Sequence, residues 1–171
     1  MGRWCHVSCE PWHQREPRRG PSAAPLRAAP AVLLRGPLVR ADHGAGLRRW
    51  LGEAEVLERH LDGAVTLRPL DGGPAASGRV TAWDVERVVE YTLGGLGRVR
   101  FHLEPVGTDS TVIRFLNERE GPGTDTPGVL ADWHQHFELL EAALTDPAAA
   151  WTEARRAELR ESYARPLTRR A

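Results

Sequence analysis

The donor atoms that a transition metal favours gather near the start of the chain, where Cys5, His6, Cys9 and His13 bring a Cys-x3-Cys-x3-His spacing compatible with half of a zinc site. No second half follows at a recognised spacing. Pro11, Pro17, Pro21, Pro25 and Pro30 also leave no regular element to hold these donors, so neither a metal nor a cofactor is expected. His134 and His136 sit two residues apart on one expected helix, about 200° apart around its axis, and cannot readily share an ion. His134 follows Trp133 and is a candidate to border a cavity, although a satisfied or exposed histidine is the more common outcome at such a position. Acid–base chemistry would need converging carboxylates, for which Glu90, Glu104 and Glu118 are the candidates. The alternation of Val89, Glu90 and Tyr91 turns Glu90 outward. Arg114 shares a strand face with Val112 and Leu116; facing inward it would bind an anionic ligand group, facing outward it would be a solvated edge residue. No phosphate loop, dinucleotide fingerprint, Gly-x-Ser-x-Gly or cysteine nucleophile occurs in the expected core.

The elements that must position these residues follow from periodicity. Residues 1–30 have no apolar period, and Ala31–Val39 gives at best a short edge strand because Gly36-Pro37 interrupts it. Leu47, Trp50 and Leu51 share one side of a short helical turn. Period-two segments then occupy Glu55–His60, Ala64–Leu70, Gly78–Val85, Arg87–Leu93, Arg98–Leu103 and Ser110–Glu118, separated by Asp62-Gly63, Asp71-Gly72-Gly73-Pro74, Gly94-Gly95-Leu96-Gly97 and Gly107-Thr108-Asp109. The clearest is Arg98–Leu103, where Val99, Phe101 and Leu103 alternate with Arg98, Arg100 and His102. Thr126 and Pro127 form an N-cap with proline at the first helical position. Leu130, Trp133, Phe137, Leu140 and Leu144 then align in one stripe. Asp146-Pro147 repeats the cap signal and starts a last, partly exposed helix through Trp151, Leu159 and Tyr163. Connections too short for crossover helices make the sheet antiparallel. The expected fold is α+β, about six antiparallel strands wrapped around a long helix near the C-terminus. The expected divisions are a disordered leader over 1–46, one domain over 47–146, and a helix and tail over 147–171.

Charge narrows the function. All 23 basic residues are arginine and are balanced by 23 acids, but unevenly: residues 1–46 hold seven arginines and three acids, residues 47–146 ten and seventeen, residues 147–171 six and three. An acidic middle argues against a nucleic-acid reader, which needs a basic face on its folded part. No apolar run approaches the roughly 18 residues of a membrane helix, so no membrane insertion is expected. Both cysteines lie in the leader and no uninterrupted apolar signal segment precedes the domain, which makes the cytoplasm the expected compartment.

Four pieces carry a family resemblance: Gly46-Leu-Arg-Arg-Trp-Leu-Gly52, then Gly78-Arg-Val-Thr-Ala-Trp83 with Arg87-Val-Val-Glu-Tyr91, then Val99-Arg-Phe-His-Leu103 with Gly107-Thr108, and the helix from Trp133-His134 to Leu144. In this order and spacing the chain resembles the START-like (SRPBCC) superfamily with its helix-grip, Bet v-like fold. It is most similar to the branch of activator of heat-shock-protein-90 ATPase homologues. The resemblance covers about Leu47 to Leu144. It implies a hydrophobic cavity between sheet and long helix that takes a small hydrophobic or amphipathic ligand, or a domain that docks a chaperone-type protein, without catalysis and in a stress-related role. A cyclase- or hydrolase-like enzyme and a co-chaperone that stimulates a chaperone ATPase are the alternatives within the same superfamily. The cavity candidates are Trp50, Trp83, Tyr91, Phe101, Leu103, Arg114, Leu130, Trp133, His134 and Phe137, with Trp50, Trp83, Phe101 and Trp133 read as core first and lining second. Two departures stand out. Relatives open with a strand and a helix that residues 1–46 do not match, and Asn117 stands where relatives often carry histidine.

Overall fold

The computed structural model describes residues 31–35, 44–84, 87–107, 110–119, 125–145 and 149–165; the cysteine–histidine cluster of the leader lies outside them. Among the described residues seven strands form one antiparallel sheet: β1 (Ala31–Arg35), β2 (Gly52–Leu57), β3 (Ala64–Pro69), β4 (Ala76–Asp84), β5 (Val88–Leu93), β6 (Gly97–Val106) and β7 (Ser110–Glu118). The same residues include three helices, α1 (Gly44–Trp50), α2 (Thr126–Thr145) and α3 (Glu153–Ala164). The strand order β1-β7-β6-β5-β4-β3-β2 pairs each strand from β2 to β7 with its sequence neighbour, and the chain returns only once, to lay β1 against β7. This is the helix-grip arrangement, with α2 gripped by the sheet.

The expected edge strand of residues 31–39 is real but ends at Arg35, and it gives the sheet a seventh strand where about six were expected. The sheet therefore begins upstream of Leu47, inside the segment read as a leader. Two register shifts, between Ala54 and Val56 and between Val80 and Ala82, bend the sheet around the helix, since an extra residue on one strand increases local twist. Gly78 lies where β4 passes the β5 backbone: a Cβ there would stand 1.9 Å from the Thr92 carbonyl oxygen. Gly97 closes the β5–β6 turn at a φ of 76°.

β2 starts at Gly52 rather than Glu55 and ends at Leu57 rather than His60, the earlier end because the reversal into β3 is longer than two residues. Asp62 occupies the left-handed region at φ 64°, and Glu58 closes the loop by accepting from the Ala64 N–H through its side chain at 2.7 Å. α2 starts at Thr126, one residue earlier than the expected cap allows, because Asp125 caps it instead: its carboxylate accepts from the Gly128 N–H at 3.3 Å and its carbonyl from the Val129 N–H at 2.9 Å; α3 begins later than its Asp146-Pro147 signal. Its cap is Thr152, whose hydroxyl accepts from the Arg155 N–H. The segment before that cap is held against α2 by Gln135, which donates to the Thr152 carbonyl at 3.1 Å, and by Trp151, whose ring meets His136.

The inner sheet face is set by Val65 and Leu67, Val80, Val89, Tyr91 and Leu93, Val99 and Phe101, and Ile113 and Phe115, all buried. Phe115 stands at the centre, 5.2 Å from Phe101, 4.4 Å from Trp133 and 5.1 Å from Phe137 between ring centroids. α2 gives this core Val129, Trp133, Phe137, Leu139 and Leu140. Each such side chain contributes roughly 1.5–3 kcal/mol on burial, so the sheet–helix seam dominates stability.

Candidate functional site

One buried polar cluster joins sheet to helix. Asn117, only 1 % exposed, ends the inner face of β7. Its Nδ2 donates to the Leu96 carbonyl at 2.9 Å and the Arg98 carbonyl at 3.1 Å, and its Oδ1 accepts from Trp133 Nε1 at 3.1 Å. These bonds engage both ends of the amide, which makes Asn117 a clamp between the β5–β6 turn and α2.

Above that clamp, at the sheet end formed by the close of β3, the β5–β6 turn and the close of β7, lies a pocket of about 90 Å³. Leu51, Leu67, Leu70, Leu96, Val129 and Trp133 supply most of its apolar wall. Pro69 and Trp151 extend the wall, and the polar contributors are Asp71, Arg119, Asp132 and His136. Asp132 is paired with Arg156 of α3 at 2.5 Å, Asp71 accepts from the Gly73 N–H at 2.8 Å, and Arg119 donates to the Gly95 carbonyl.

His136 is the ionisable group best placed to meet a ligand. Its Nδ1 lies 2.6 Å from the Trp50 carbonyl oxygen. A carbonyl only accepts, so Nδ1 carries the proton and the neutral ring leaves Nε2 as a bare acceptor. The ring sits between Trp133 at 5.2 Å and Trp151 at 4.9 Å. Burial pulls its pKa below the ordinary histidine value; the Trp50 carbonyl, Asp132 and Asp71 oppose that pull without cancelling it.

The ten cavity candidates separate. Trp133 lines the pocket, while Trp50, Tyr91, Phe101 and Phe137 are closed into the core; Trp50 meets the edge of Phe101 at 5.6 Å. Trp83 and Leu103 are half-buried on the inner face and pack against that core. Leu130 is buried but outside the main cluster, on the helix side shared with His134 four residues later. His134 turns away from the pocket. Its Nδ1 is 2.8 Å from the Tyr163 hydroxyl on α3 and its Nε2 3.4 Å from Glu138, so the hydroxyl donates to Nδ1 and Nε2–H faces the carboxylate. Desolvation is the largest influence on its pKa, which is lowered.

Arg114 is corrected outright: it lies on the outer face, exposed and bound to Glu104 at 3.0 Å. Phe115 and Ile113 occupy the inner face because they meet the α2 rings and core, which puts Val112, Arg114 and Leu116 on the opposite side. Glu90 faces outward as expected yet is buried at 5 %, covered by Thr81 at 2.8 Å and Arg100 at 3.1 Å. His136 is not among the expected cavity residues, although its i, i+3 relation to Trp133 is visible in the sequence; its acceptor comes from Trp50, 86 residues away. Among the described residues no group of three or more His, Cys, Asp or Glu side chains is arranged to hold a metal, and no helix is long and apolar enough to cross a membrane.

No protein-family model matches the chain, and no curated protein sequence does. Solved structures do share the fold. A protein from Bordetella parapertussis is 20% identical with a TM-score of 0.64, over 98% of this chain and 96% of its own. A conserved protein of unknown function from Enterococcus faecalis is 16% identical with a TM-score of 0.68, over 82% and 83%. The Aha1 dimer from Colwellia psychrerythraea is 14% identical with a TM-score of 0.58, over 72% and 99%. At these identities the likeness is one of fold, and it agrees with a START-like, Aha1-type arrangement of sheet and helix.

Proposed function

We propose that the chain is a non-enzymatic START-like domain that holds the apolar part of a small hydrophobic or amphipathic ligand in the pocket at the sheet end. The observation that carries this reading is an apolar wall of leucines, Val129 and Trp133 with polar residues among its lining. Pocket size limits the guest: a cavity of roughly 150 Å³ admits benzene, so about 90 Å³ takes about four heavy atoms, with the remainder of a larger ligand left at the mouth. Binding is favoured over catalysis by the hydrogen bonds that commit Asn117 to structure. It is favoured also because His136 has only the Trp50 carbonyl as a hydrogen-bond partner among the described residues, whereas acid–base work needs a second group in reach. Displacement of an apolar fluorescent dye tests the reading. The wild type should bind the dye and Leu96→Phe, which fills the pocket from the turn, should bind it weakly; equal binding by both, or binding by neither, contradicts it.

The likeness to the Aha1 dimer, together with the sequence resemblance to that branch, favours a second reading, a cytoplasmic co-chaperone domain that docks a chaperone-type protein. Chaperone ATPase rates measured with and without the chain decide it: an unchanged rate removes the reading.

A further inference from the structure

Resting on the proposed ligand pocket, we infer that its guest is a neutral hydrogen-bond donor, a small hydroxyl-bearing apolar molecule whose O–H is accepted by Nε2 of His136. The Trp50 carbonyl fixes the imidazole by taking the Nδ1 proton at 2.6 Å, and the tryptophan rings of residues 133 and 151 flank it at 5.2 and 4.9 Å. His136 lines the pocket, and its remaining polar atom, the acceptor Nε2, has no hydrogen-bond partner among the described residues. An alcohol supplies the matching donor, whereas an ether of the same size supplies none and leaves that acceptor unpaired in an apolar wall.

Charge selects in the same direction. The charged groups around His136 are Asp132 on its own helix, Asp71 on the β3–β4 turn and Arg119 after β7. Arg119 already donates to the Gly95 carbonyl and Asp132 is held by Arg156, so two acids are balanced by two engaged arginines and the described lining offers a carboxylate guest no free cation. A hydroxyl needs no cation and satisfies the imidazole without moving a proton. Burial, which keeps His136 neutral near pH 7, preserves the acceptor.

Butan-1-ol and diethyl ether are isomers with equal numbers of heavy atoms, and they separate donor from bulk. Each is titrated into the intact wild-type protein while the methyl resonances of Leu67 and Val129 and the 15N resonance of His136 Nε2 are followed by NMR. The expected result is binding of butan-1-ol about tenfold tighter than diethyl ether, with the Nε2 resonance shifting for the alcohol alone. Lowering the pH until His136 protonates should remove that preference. If both compounds shift the methyl resonances with equal affinity, the pocket reading stands and the donor inference is overturned. If neither moves any pocket resonance, both are overturned. His136→Phe, which keeps a ring between the two tryptophans, should abolish the preference wherever the variant folds; the wild-type titration decides the matter without it.

Discussion

Replacing Asn117 by leucine tests whether the sheet-to-helix clamp is structural. The substitution keeps approximate size but removes donors to Leu96 and Arg98 at 2.9 and 3.1 Å and the acceptor of Trp133 Nε1 at 3.1 Å. A buried polar group stranded in this way costs about 1–3 kcal/mol. Trp133 is 5 % exposed, so its indole N–H bears that cost fully, while the two turn carbonyls recover part of theirs through water. The added apolar burial of leucine offsets about 1–2 kcal/mol. The expected net loss is about 2–4 kcal/mol, read by urea unfolding followed by circular dichroism with an unchanged m-value. Trp133→Phe removes the stranded donor, and its lost ring area cancels in a double-mutant cycle. The double variant should therefore be more stable than the sum of the single losses by about 1–2 kcal/mol. A loss below about 0.5 kcal/mol for Asn117→Leu, or strict additivity in the cycle, would refute the clamp.

Further predictions address other parts of the fold. Gly78→Ala places a Cβ 1.9 Å from the Thr92 carbonyl oxygen and should destabilise by about 1–3 kcal/mol or more, measured by the same unfolding curves. α3 buries Leu159 and is tied to α2 and its start by Arg155–Glu138, Arg156–Asp132 and Arg160–Asp125, partly exposed pairs worth about 0.2–1 kcal/mol each. Raising the salt concentration should thus speed hydrogen exchange in α3 well before the sheet; equal acceleration everywhere would count against an electrostatic latch. His134 and His136 are both held below their ordinary pKa by burial, so the unfolded chain takes up protons first as pH falls below about 6.5. Stability should therefore be full above that value and decline below it until the folded-state histidines titrate, and His136→Phe should flatten the decline.

Much of this architecture is legible in the sequence because it rests on local signals. Thr126-Pro127 marks the start of α2 to within one residue, and the alternation of Val99, Phe101 and Leu103 sets the inner face of β6. β1 is weakly written, since five residues before Gly36-Pro37 acquire their partners only by pairing with β7, some 80 residues downstream. Arg114 shows the limit of alternation: it separates two faces of β7 but does not say which is inside when both carry apolar residues. Phe115 settles that question through its contacts with Trp133 and Phe137, which are tertiary. The pocket was equally hidden. Its wall draws on the junction after α1, β3, the β3–β4 and β5–β6 turns, α2 and the approach to α3, and His136 lies about 60° around α2 from Trp133, beside the predicted stripe rather than in it.

Among the described residues, aromatic rings fill the space between sheet and long helix, and an accessible apolar pocket lies at the sheet end. A crystal structure under xenon pressure distinguishes the two regions. Xenon is expected against Leu67, Leu96 and Val129, with none among Phe101, Phe115 and Phe137. Xenon seated among those three rings, with the end pocket empty, would contradict it.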